Sequence, residues 1–441
     1  MLFLYIMVGV PVDSPHISGT SLTEIAEACH DYSKPNNLKS FRNVYMTDNT
    51  QAGNGTSTAL KYSQFTGKRV AYDVTGTGLL ATGSENQNFF QWSSFAASRG
   101  LEYFMLASPN NGHCEPRAFT TTGSTHATLT WTGGFSSQYR LEDHAITMAI
   151  SRSGAMVIGS EEAGSTVSPS PRNAVFVYSD ATNYSSGYWT SGYDDMTGFG
   201  TKMGHLVHTG NNLYIPTRGG LYGGYQIVTM LKIDISNSTS HSWDWYWGGF
   251  WHYGHSIQIS ENLDRVVIDN GPGASIEVYT TDGTNDTLEA TPTSTGGTGH
   301  VYCNSDCSVI VSGSGIWHRD GTTWTAADTS EIVNRNIDPQ TCDISDDGTI
   351  VVYKRESGSA NTNDPNSGNQ LNHFHYHKTN NKWYYTGNSN LGSTPELYRF
   401  LGGGFSSTNI GVRNDGLVIG KWDSDTGGKP KAYKGTIGVK K

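Results

Sequence analysis

Apolar and polar positions alternate in short runs along most of the chain after about residue 67. Each unit has an alternating run of apolar residues, a turn rich in Ser, Asp, Asn and Gly, and a second apolar run that ends in Gly or Ser. Such a unit predicts two strands joined by a tight turn, which is a β-hairpin. A weak unit covers 101–112, and the seven clear units are 70–84, 146–160, 206–218, 256–271, 301–315, 342–356 and 410–424.

Several hairpins are followed by a further strand that ends in aromatic residues, as in VFVY (175–178), IEVY (276–279) and KWYY (382–385). Four strands in about 40–50 residues are typical of one blade of a β-propeller. A single blade cannot bury both of its faces, whereas blades stacked in a closed ring bury them and leave no open sheet edge. We therefore predict an all-β fold over residues 67–441, a β-propeller of about seven four-stranded blades, with an eighth left open.

Residues 1–66 have a different pattern, which predicts one or two short helices. Ser21 and Glu24 fit a capping box, and apolar residues follow at helical spacing. The first ten residues are apolar but too few to cross a bilayer, so we expect a strand or buried arm rather than a signal peptide. A segment this small does not fold alone, and we expect it to dock onto a larger body. The residues expected to make the docking contacts are Leu22, Ile25, Leu38, Phe41 and Tyr45.

Two stretches of this segment, ISGTSLTEIAEA (17–28) and NNLKSFRNVYM (36–46), resemble a short module. The module occurs in structural proteins of tailed phages, particularly marine ones, and of some large DNA viruses. It reads Ser-Gly-x-x-Ser-Leu-x-x-Ile, then Asn-x-Leu-x-x-Phe/Tyr-Arg, and 53–68 resembles a degenerate second copy. The resemblance covers about 50 residues, and His30 stands where the family commonly has Gly. It implies that residues 1–66 attach to other virion proteins and that the propeller is displayed on the surface of the particle.

Composition and charge exclude some classes of function. The formal net charge is −10, only 15% of residues are charged, and basic clusters are missing. Nucleic-acid binding needs a positive surface, so we expect no nucleic-acid partner. The five Cys are an odd number at spacings that match no zinc pattern. We expect mainly buried or free thiols, with one disulfide as the alternative.

The stretch HSWDWYWGGFWHYGH (241–255) is the most aromatic part of the chain. Trp243, Trp245 and Trp247 alternate and would share one face of a strand, where they favour core between two blades. The residues after them lie between glycines in a loop at one mouth of the ring. Exposed aromatic rings there would stack on the sugars of a host-surface glycan. The candidate ligand-binding residues are Phe250, Trp251, His252 and Tyr253.

Two patterns of histidine are candidates for polar sites. His373, His375 and His377 alternate, so a strand would place their rings along one face, about 7 Å apart. Neighbours in such a row could share a metal ion, or rows from a trimer could meet around one. The favoured interpretation is a solvated outer strand, and we expect no other cofactor. Three units begin with Gly-His, as repeats of WD propellers do. We expect the imidazole of each of these histidines to hydrogen-bond within its own blade. They are His205, His255 and His300.

No pattern of catalytic residues stands out. The acidic pairs at 161–162, 194–195 and 346–347 place adjacent carboxylates on opposite faces of a strand, which does not make a glycosidase site. The chain has no GxSxG, HExxH or P-loop motif. We therefore expect a virion protein and not an enzyme. This protein would display its propeller to attach to a host-surface glycan or receptor, or to decorate the particle. The alternatives are a propeller glycoside hydrolase or lyase acting on surface polysaccharide and a non-viral secreted binding module, and a homo-oligomer is left open.

Overall fold

We analysed a computed structural model of the protein. It describes residues 16–17, 21–30, 37–53, 59–83, 94–107, 109–110, 113–114, 116–128, 146–161, 173–178, 184–189, 202–222, 225–236, 242–245, 252–283, 285–294, 296–335, 337–355, 370–390, 410–422 and 431–441.

Strands make up most of the described chain, as the alternating pattern predicts. In chain order they are β1 (His16–Ile17), β2 (Lys68–Arg69), β3 (Tyr72–Thr82), β4 (Ser94–Ala97), β5 (Tyr103–Ala107), β6 (Pro109–Asn110), β7 (His113–Cys114), β8 (Arg117–Thr120), β9 (Thr125–Thr128), β10 (Ile146–Ile150), β11 (Met156–Glu161), β12 (Asn173–Tyr178), β13 (Tyr184–Trp189), β14 (Lys202–Met203), β15 (Val207–Thr209), β16 (Asn212–Tyr222), β17 (Tyr225–Asp234), β18 (Ser242–Trp245), β19 (His252–Tyr253), β20 (Ser256–Ile259), β21 (Arg265–Asp269), β22 (Ile276–Thr281), β23 (Asp286–Thr293), β24 (Tyr302–Cys303), β25 (Val309–Ser312), β26 (Gly315–Asp320), β27 (Thr323–Ala326), β28 (Ile337–Ile344), β29 (Ile350–Arg355), β30 (Gln370–His377), β31 (Lys382–Asn390), β32 (Ile410–Val412), β33 (Leu417–Trp422) and β34 (Lys431–Val439).

The sheets are arranged as a β-propeller, which confirms the predicted fold class. Across the described ranges there are six four-stranded blades: β4-β5-β8-β9, β10 to β13, β20 to β23, β24 to β27, β28 to β31, and β32-β33-β34-β3. A six-stranded sheet, β14 to β19, lies between the second and third of these along the chain. Neighbouring sheets pack together all the way round. The first strands make this contact in most cases, β16 packs on β20, β23 packs on β27, and β32 packs beside β4, so the sheets form a closed ring. With the six-stranded sheet counted as a blade, the described residues form seven sheets, which agrees with the prediction of about seven blades.

The last blade takes its outermost strand from the beginning of the chain. β3 pairs with β34 from Tyr72 opposite Val439 to Thr82 opposite Lys431. The remaining strands of this blade come from the end of the chain. The ring is therefore closed by hydrogen bonds between two distant parts of the sequence.

Apolar cores lie between neighbouring blades. One joins Val228 and Met230 of β17 to Ile257 of β20 and Val266 of β21, all nearly inaccessible to solvent. The alternation along each strand produces this arrangement, since successive side chains reach opposite faces of a blade. In β18 the backbones of residues 243 and 245 pair with β17. The side chains of these two tryptophans, and Trp247 as a whole, lie outside the described part of the chain.

The predicted helix in the N-terminal segment is confirmed as α1 (Leu22–Ala28). The Ser21 hydroxyl accepts a hydrogen bond of 3.1 Å from the Glu24 amide, as expected for an N-cap. The second predicted helix is a short 3-10 turn over Leu38–Phe41. Two further 3-10 turns are Tyr62–Gln64 and Lys378–Asn380, and a second α-helix, α2 (Ser330–Val333), lies in the propeller. No helix among the described residues is long and apolar enough to cross a membrane.

The N-terminal segment builds a small core and places it against the last blade. Ile25 and Phe41 are buried in this core, and Leu22 and Leu38 pack partly against it. Tyr72 and Val439 of the last blade belong to the same cluster. The Tyr45 amide donates to the Lys440 carbonyl at 2.9 Å. The five predicted docking residues therefore make contacts within this chain.

Candidate functional site

The turns between the first and second strands of the blades share one hydrogen-bonding pattern. In six blades the amide of the fourth turn residue donates to the carbonyl of the first, as from Leu263 to Ser260 and from Gly348 to Ser345. The Ser260 and Ser345 hydroxyls also accept hydrogen bonds from amides that follow the turn. The fourth residue has a positive φ, the conformation that Gly adopts with least strain. These turns are the Ser/Asp/Asn/Gly segments of the repeated pattern, and they lie at the inner rim of the ring.

The second residues of four of these turns lie close together although they come from different blades, and Glu102, which follows the turn of its own blade, joins them. Arg152 Nη1 lies 3.1 Å from Glu102 Oε1, and Arg152 Nε lies 3.5 Å from Glu261 Oε1. Arg152 also forms an ion pair with Asp346. The blades that supply these residues lie on different sides of the ring, so the contacts place them at its axis. We call Arg99, Glu102, Arg152, Glu261 and Asp346 the axial cluster.

The solvent exposure of the side chains in the axial cluster decreases from its outer end to its inner end. The Arg152 and Glu102 side chains are each 36% exposed, Asp346 is 14% exposed and Arg99 only 2%. Ion pairs at the exposed end contribute little stability because water screens them. A buried charge is costly unless it is paired, so the groups around Arg99 decide whether the inner end is stable.

Arg99 has three kinds of partner. Its Nη1 donates to the Ser305 carbonyl at 3.2 Å, and its Nη2 donates to Cys303 Sγ at 3.7 Å. The closest carboxylate in the axial cluster, Glu261, lies 4.0 Å away. Burial opposes the charge of Arg99, but electrostatic interactions with the Cys303 and Cys307 sulfurs and with nearby carboxylates outweigh it and raise the pKa of the guanidinium. Arg99 is therefore a cation inside the ring.

Polar side chains continue at the channel-facing ends of other blades. Asp343 accepts a hydrogen bond of 2.9 Å from the Val412 amide, and its other oxygen lies 3.8 Å from His205 Nε2. Gln258 accepts from the His205 amide at 3.3 Å and donates to the Val301 carbonyl at 3.2 Å. The expected hydrogen bond of the His205 imidazole within its own blade stays a prediction, and these contacts link His205 to two other blades.

The predicted glycan-binding loop cannot be placed. Phe250 and Trp251 lie outside the described residues. His252 and Tyr253 form β19, whose backbone pairs with Val228 and Ile227 of β17. Their side chains also lie outside the described part, so the binding role of this loop stays a prediction.

The histidine row is buried. His373, His375 and His377 lie on one face of β30, as predicted, but each is only 1% exposed. The expectation of a solvated outer strand is wrong, because Tyr72 of the last blade and Glu27 and His30 of the N-terminal segment pack against this face. A row buried inside one chain also cannot meet rows from other chains around a trimer axis. Within the described residues no group of three or more His, Cys, Asp or Glu could hold a metal ion.

Each ring of the row has a different neighbour. His373 Nδ1 lies 2.9 Å from Thr386 Oγ1, and burial lowers the pKa of His373 to about 3. The His375 ring lies 4.3 Å from that of His30, and its pKa is lowered well below the ordinary value, first by burial and then by the charges of His30 and His373. His377 Nδ1 lies 3.5 Å from Glu27 Oε2 of α1. The row is therefore part of the contact between the propeller and the N-terminal segment.

The axial cluster was missed by reasoning from the sequence, although a signal for it exists. Asp346 was considered only as a member of an acidic pair. Aligning the hairpins on the first residue of each turn places Arg99, Arg152, Glu261 and Asp346 in the same column. A charged residue repeated at one turn position of a closed ring indicates a shared site on the axis.

Comparisons with known proteins give structural similarity only. No family model and no curated protein matches the chain. The periplasmic gluconolactonase PpgL of Pseudomonas aeruginosa is 11% identical over 69% of this chain and 86% of its own, with a TM-score of 0.42. The β-propeller domain of Cps50 (Swd1) from Myceliophteria thermophila is 9% identical over 82% and 98%, with a TM-score of 0.42. A luciferin-regenerating enzyme is 9% identical over 81% and 96%, with a TM-score of 0.33.

These comparisons correct one expectation. The prediction that the protein is not an enzyme is wrong, because structures named for enzymes are among those that the chain is similar to. The substrates of those enzymes are properties of those proteins and are not assigned to this chain.

Proposed function

We propose that the protein is a structural component of a virus particle that displays its propeller toward the host surface. Residues 1–66 join it to other virion proteins, and the ring takes part in attachment or in decoration of the particle. The resemblance of 17–28 and 36–46 to the virion module supports this proposal.

The observation that carries the proposal is the separate core of the N-terminal segment. Ile25, Phe41 and Phe65 pack with each other instead of entering a blade. Their apolar surface is buried within the chain, so the described residues of the segment offer other virion proteins a mainly polar surface. Thr23, Lys39 and other polar residues of the segment face solvent. The contact with the particle should therefore be made by hydrogen bonds and charges at the outer edge of the ring.

The test is immunogold electron microscopy of particles from the source culture, with an antibody raised against residues 67–441. Label at a tail or fibre tip supports attachment, and label over the capsid supports decoration. Absence of label from every particle overturns the proposal. Particles stripped with high salt then test the polar contact, since ion pairs and polar contacts weaken as salt screens them.

A second candidate is a hydrolase that acts on surface polysaccharide, and the axial cluster favours it. Glu102, Glu261 and Asp346 bring three carboxylates around one arginine, and glycoside hydrolysis uses two. Reducing ends released from host polysaccharide would measure turnover. Glu261→Gln and Asp346→Asn should each abolish turnover, whereas Asp415→Asn, which breaks an ion pair within its own turn, should preserve it. Equal turnover by all three variants would exclude the axial cluster as the active site.

A further inference from the structure

Two cysteines lie beside the buried arginine at the inner end of the axial cluster. Cys303 is the last residue of β24, and Cys307 is the fourth residue of the turn that follows. Cys303 is 1% exposed and Cys307 is fully buried, and both are free thiols. On one side they belong to the apolar core with Val301 and Ile310. On the other side they meet Arg99, which reaches them from a different part of the ring.

Arg99 needs a negative partner, and Cys303 is in place to supply it. The guanidinium donates from Nη2 to Cys303 Sγ at 3.7 Å and from Nη1 to the neutral Ser305 carbonyl, and Glu261 lies 4.0 Å away. A buried guanidinium without a close counter-charge would be strongly unfavourable. A thiolate at Cys303 removes much of this cost. The ionised form of the thiol is also the form that reacts as a nucleophile.

Cys307 completes the arrangement. Its thiol donates a hydrogen bond to the Cys303 sulfur. Burial alone would raise the pKa of Cys303, but this hydrogen bond and the charge of Arg99 outweigh it and lower that pKa. Burial and the neighbouring Cys303 raise the pKa of Cys307 well above its ordinary value. One sulfur of the pair is therefore poised as a thiolate and the other remains a thiol.

We propose that Cys303 and Cys307 form an oxidisable dithiol site, in which Arg99 holds Cys303 as the thiolate that reacts with small hydroperoxides. The Cys303 sulfur attacks one peroxide oxygen, the O–O bond breaks, and the departing hydroxide takes a proton to become water. The product is a sulfenic acid on Cys303. The Cys307 sulfur then attacks it, the S–O bond breaks, and a second water leaves with the Cys307 proton. Two thiols and one hydrogen peroxide thus become one disulfide and two waters.

The route for such an oxidant follows the axial cluster. Its outer end is open to solvent at Arg152 and Glu102, and its inner end is Arg99, which touches Cys303. A molecule as small as hydrogen peroxide needs little displacement of these side chains, whereas a larger disulfide reagent would need the ring to open. The site should therefore be selective for small oxidants.

The experiment treats the folded, reduced full-length protein with hydrogen peroxide at neutral pH and follows the cysteines by mass spectrometry. Tryptic peptide 266–319 contains both cysteines and should lose two hydrogens and resist alkylation until it is reduced. Oxidation at this pair should be at least about tenfold faster than at Cys342. Cys342 is the internal control because it is also buried, and burial raises the pKa of its thiol.

Two variants separate this chemistry from general oxidation. Cys307→Ser should stop at the sulfenic acid, which dimedone traps on Cys303 when the peroxide-treated protein is unfolded in the presence of dimedone. Arg99→Gln should slow oxidation about tenfold, whereas Arg99→Lys, which keeps the positive charge, should slow it less. If Arg99→Gln fails to fold, the Cys307→Ser result decides. A Cys303 that reacts no faster than Cys342, or that gives no dimedone adduct in Cys307→Ser, overturns the proposal.

Discussion

Acidification should destabilise the folded propeller through His373. The ring is 1% exposed, its Nδ1 is bonded to the Thr386 hydroxyl, and burial lowers its pKa to about 3. In the unfolded chain the pKa returns to its ordinary value of 6.5. Between these two values the unfolded chain binds one more proton at this position than the folded chain. Stability is therefore complete above about pH 6.5 and is lost as the pH falls through this window.

The size of the stability loss follows from the pH interval between the pKa values of His373 in the folded and unfolded chain. Each pH unit within it costs about 1.4 kcal/mol for one histidine, so His373 alone should cost about 2.5 kcal/mol between pH 7 and pH 4.5. The neighbouring His375 has its pKa lowered in the same direction and should steepen the loss. A change of this size is a large part of the stability of an ordinary domain.

The assay is denaturant unfolding at a series of pH values from 7.5 to 4.5, for the wild type and two variants. His373→Gln removes one proton-binding group, so its stability should fall less steeply with pH than that of the wild type. The control is Phe374→Leu on the same strand, which should lower stability by a similar amount at every pH because the residue is fully buried and does not titrate. If His373→Gln loses stability with the same slope as the wild type, burial of a neutral His373 is not the cause.

Three further results are expected. Trp383→Ala should lower the free energy of unfolding by about 3–5 kcal/mol, because the side chain is fully buried, and unfolding that matches the wild type would contradict its place in the core. Gly416→Ala should destabilise by about 1–3 kcal/mol, because φ is +84° and a Cβ would lie 2.0 Å from the Ile437 carbonyl oxygen; Gly78→Ala, which meets nothing within 4 Å, is the control by thermal melting. The Glu27 carboxylate accepts hydrogen bonds from the amide and the hydroxyl of Thr379, and Glu27→Gln should weaken both bonds. Amide hydrogen exchange in α1 should then become faster. Unchanged exchange would show that these bonds do not hold the N-terminal segment against the propeller.

The blades could be predicted from the sequence because their signals are local. Alternation, a turn and a second run lie within about 15 residues, and pairing follows the same short-range order. The Ser21 cap was likewise readable because the hydroxyl and the Glu24 amide are three residues apart.

The contacts that form the candidate sites are long-range, which is why they were missed. Alternation predicted correctly that His373, His375 and His377 share a face. The residues that contact His375 and His377, which are Glu27, His30 and Tyr72, lie about 300 residues or more earlier in the chain. Arg152 and Asp346 are also far apart, and only closure of the ring brings their turns together. Sequence patterns show which face a side chain takes, whereas the partner on that face depends on the order of blades around the axis.

Because β3 pairs with β34, the last blade cannot be completed until the ribosome has synthesised nearly the whole chain. β3 emerges early, but its partner is made about 350 residues later, which takes about 20–70 s at ordinary rates of translation. During that time β3 is an unpaired edge, and the N-terminal core lacks the contact that Val439 later supplies. Such an edge can pair with the same strand of a neighbouring nascent chain. Yield of the folded ring should therefore depend on how far apart translating ribosomes are and on chaperones that cover the first strand until the last one arrives.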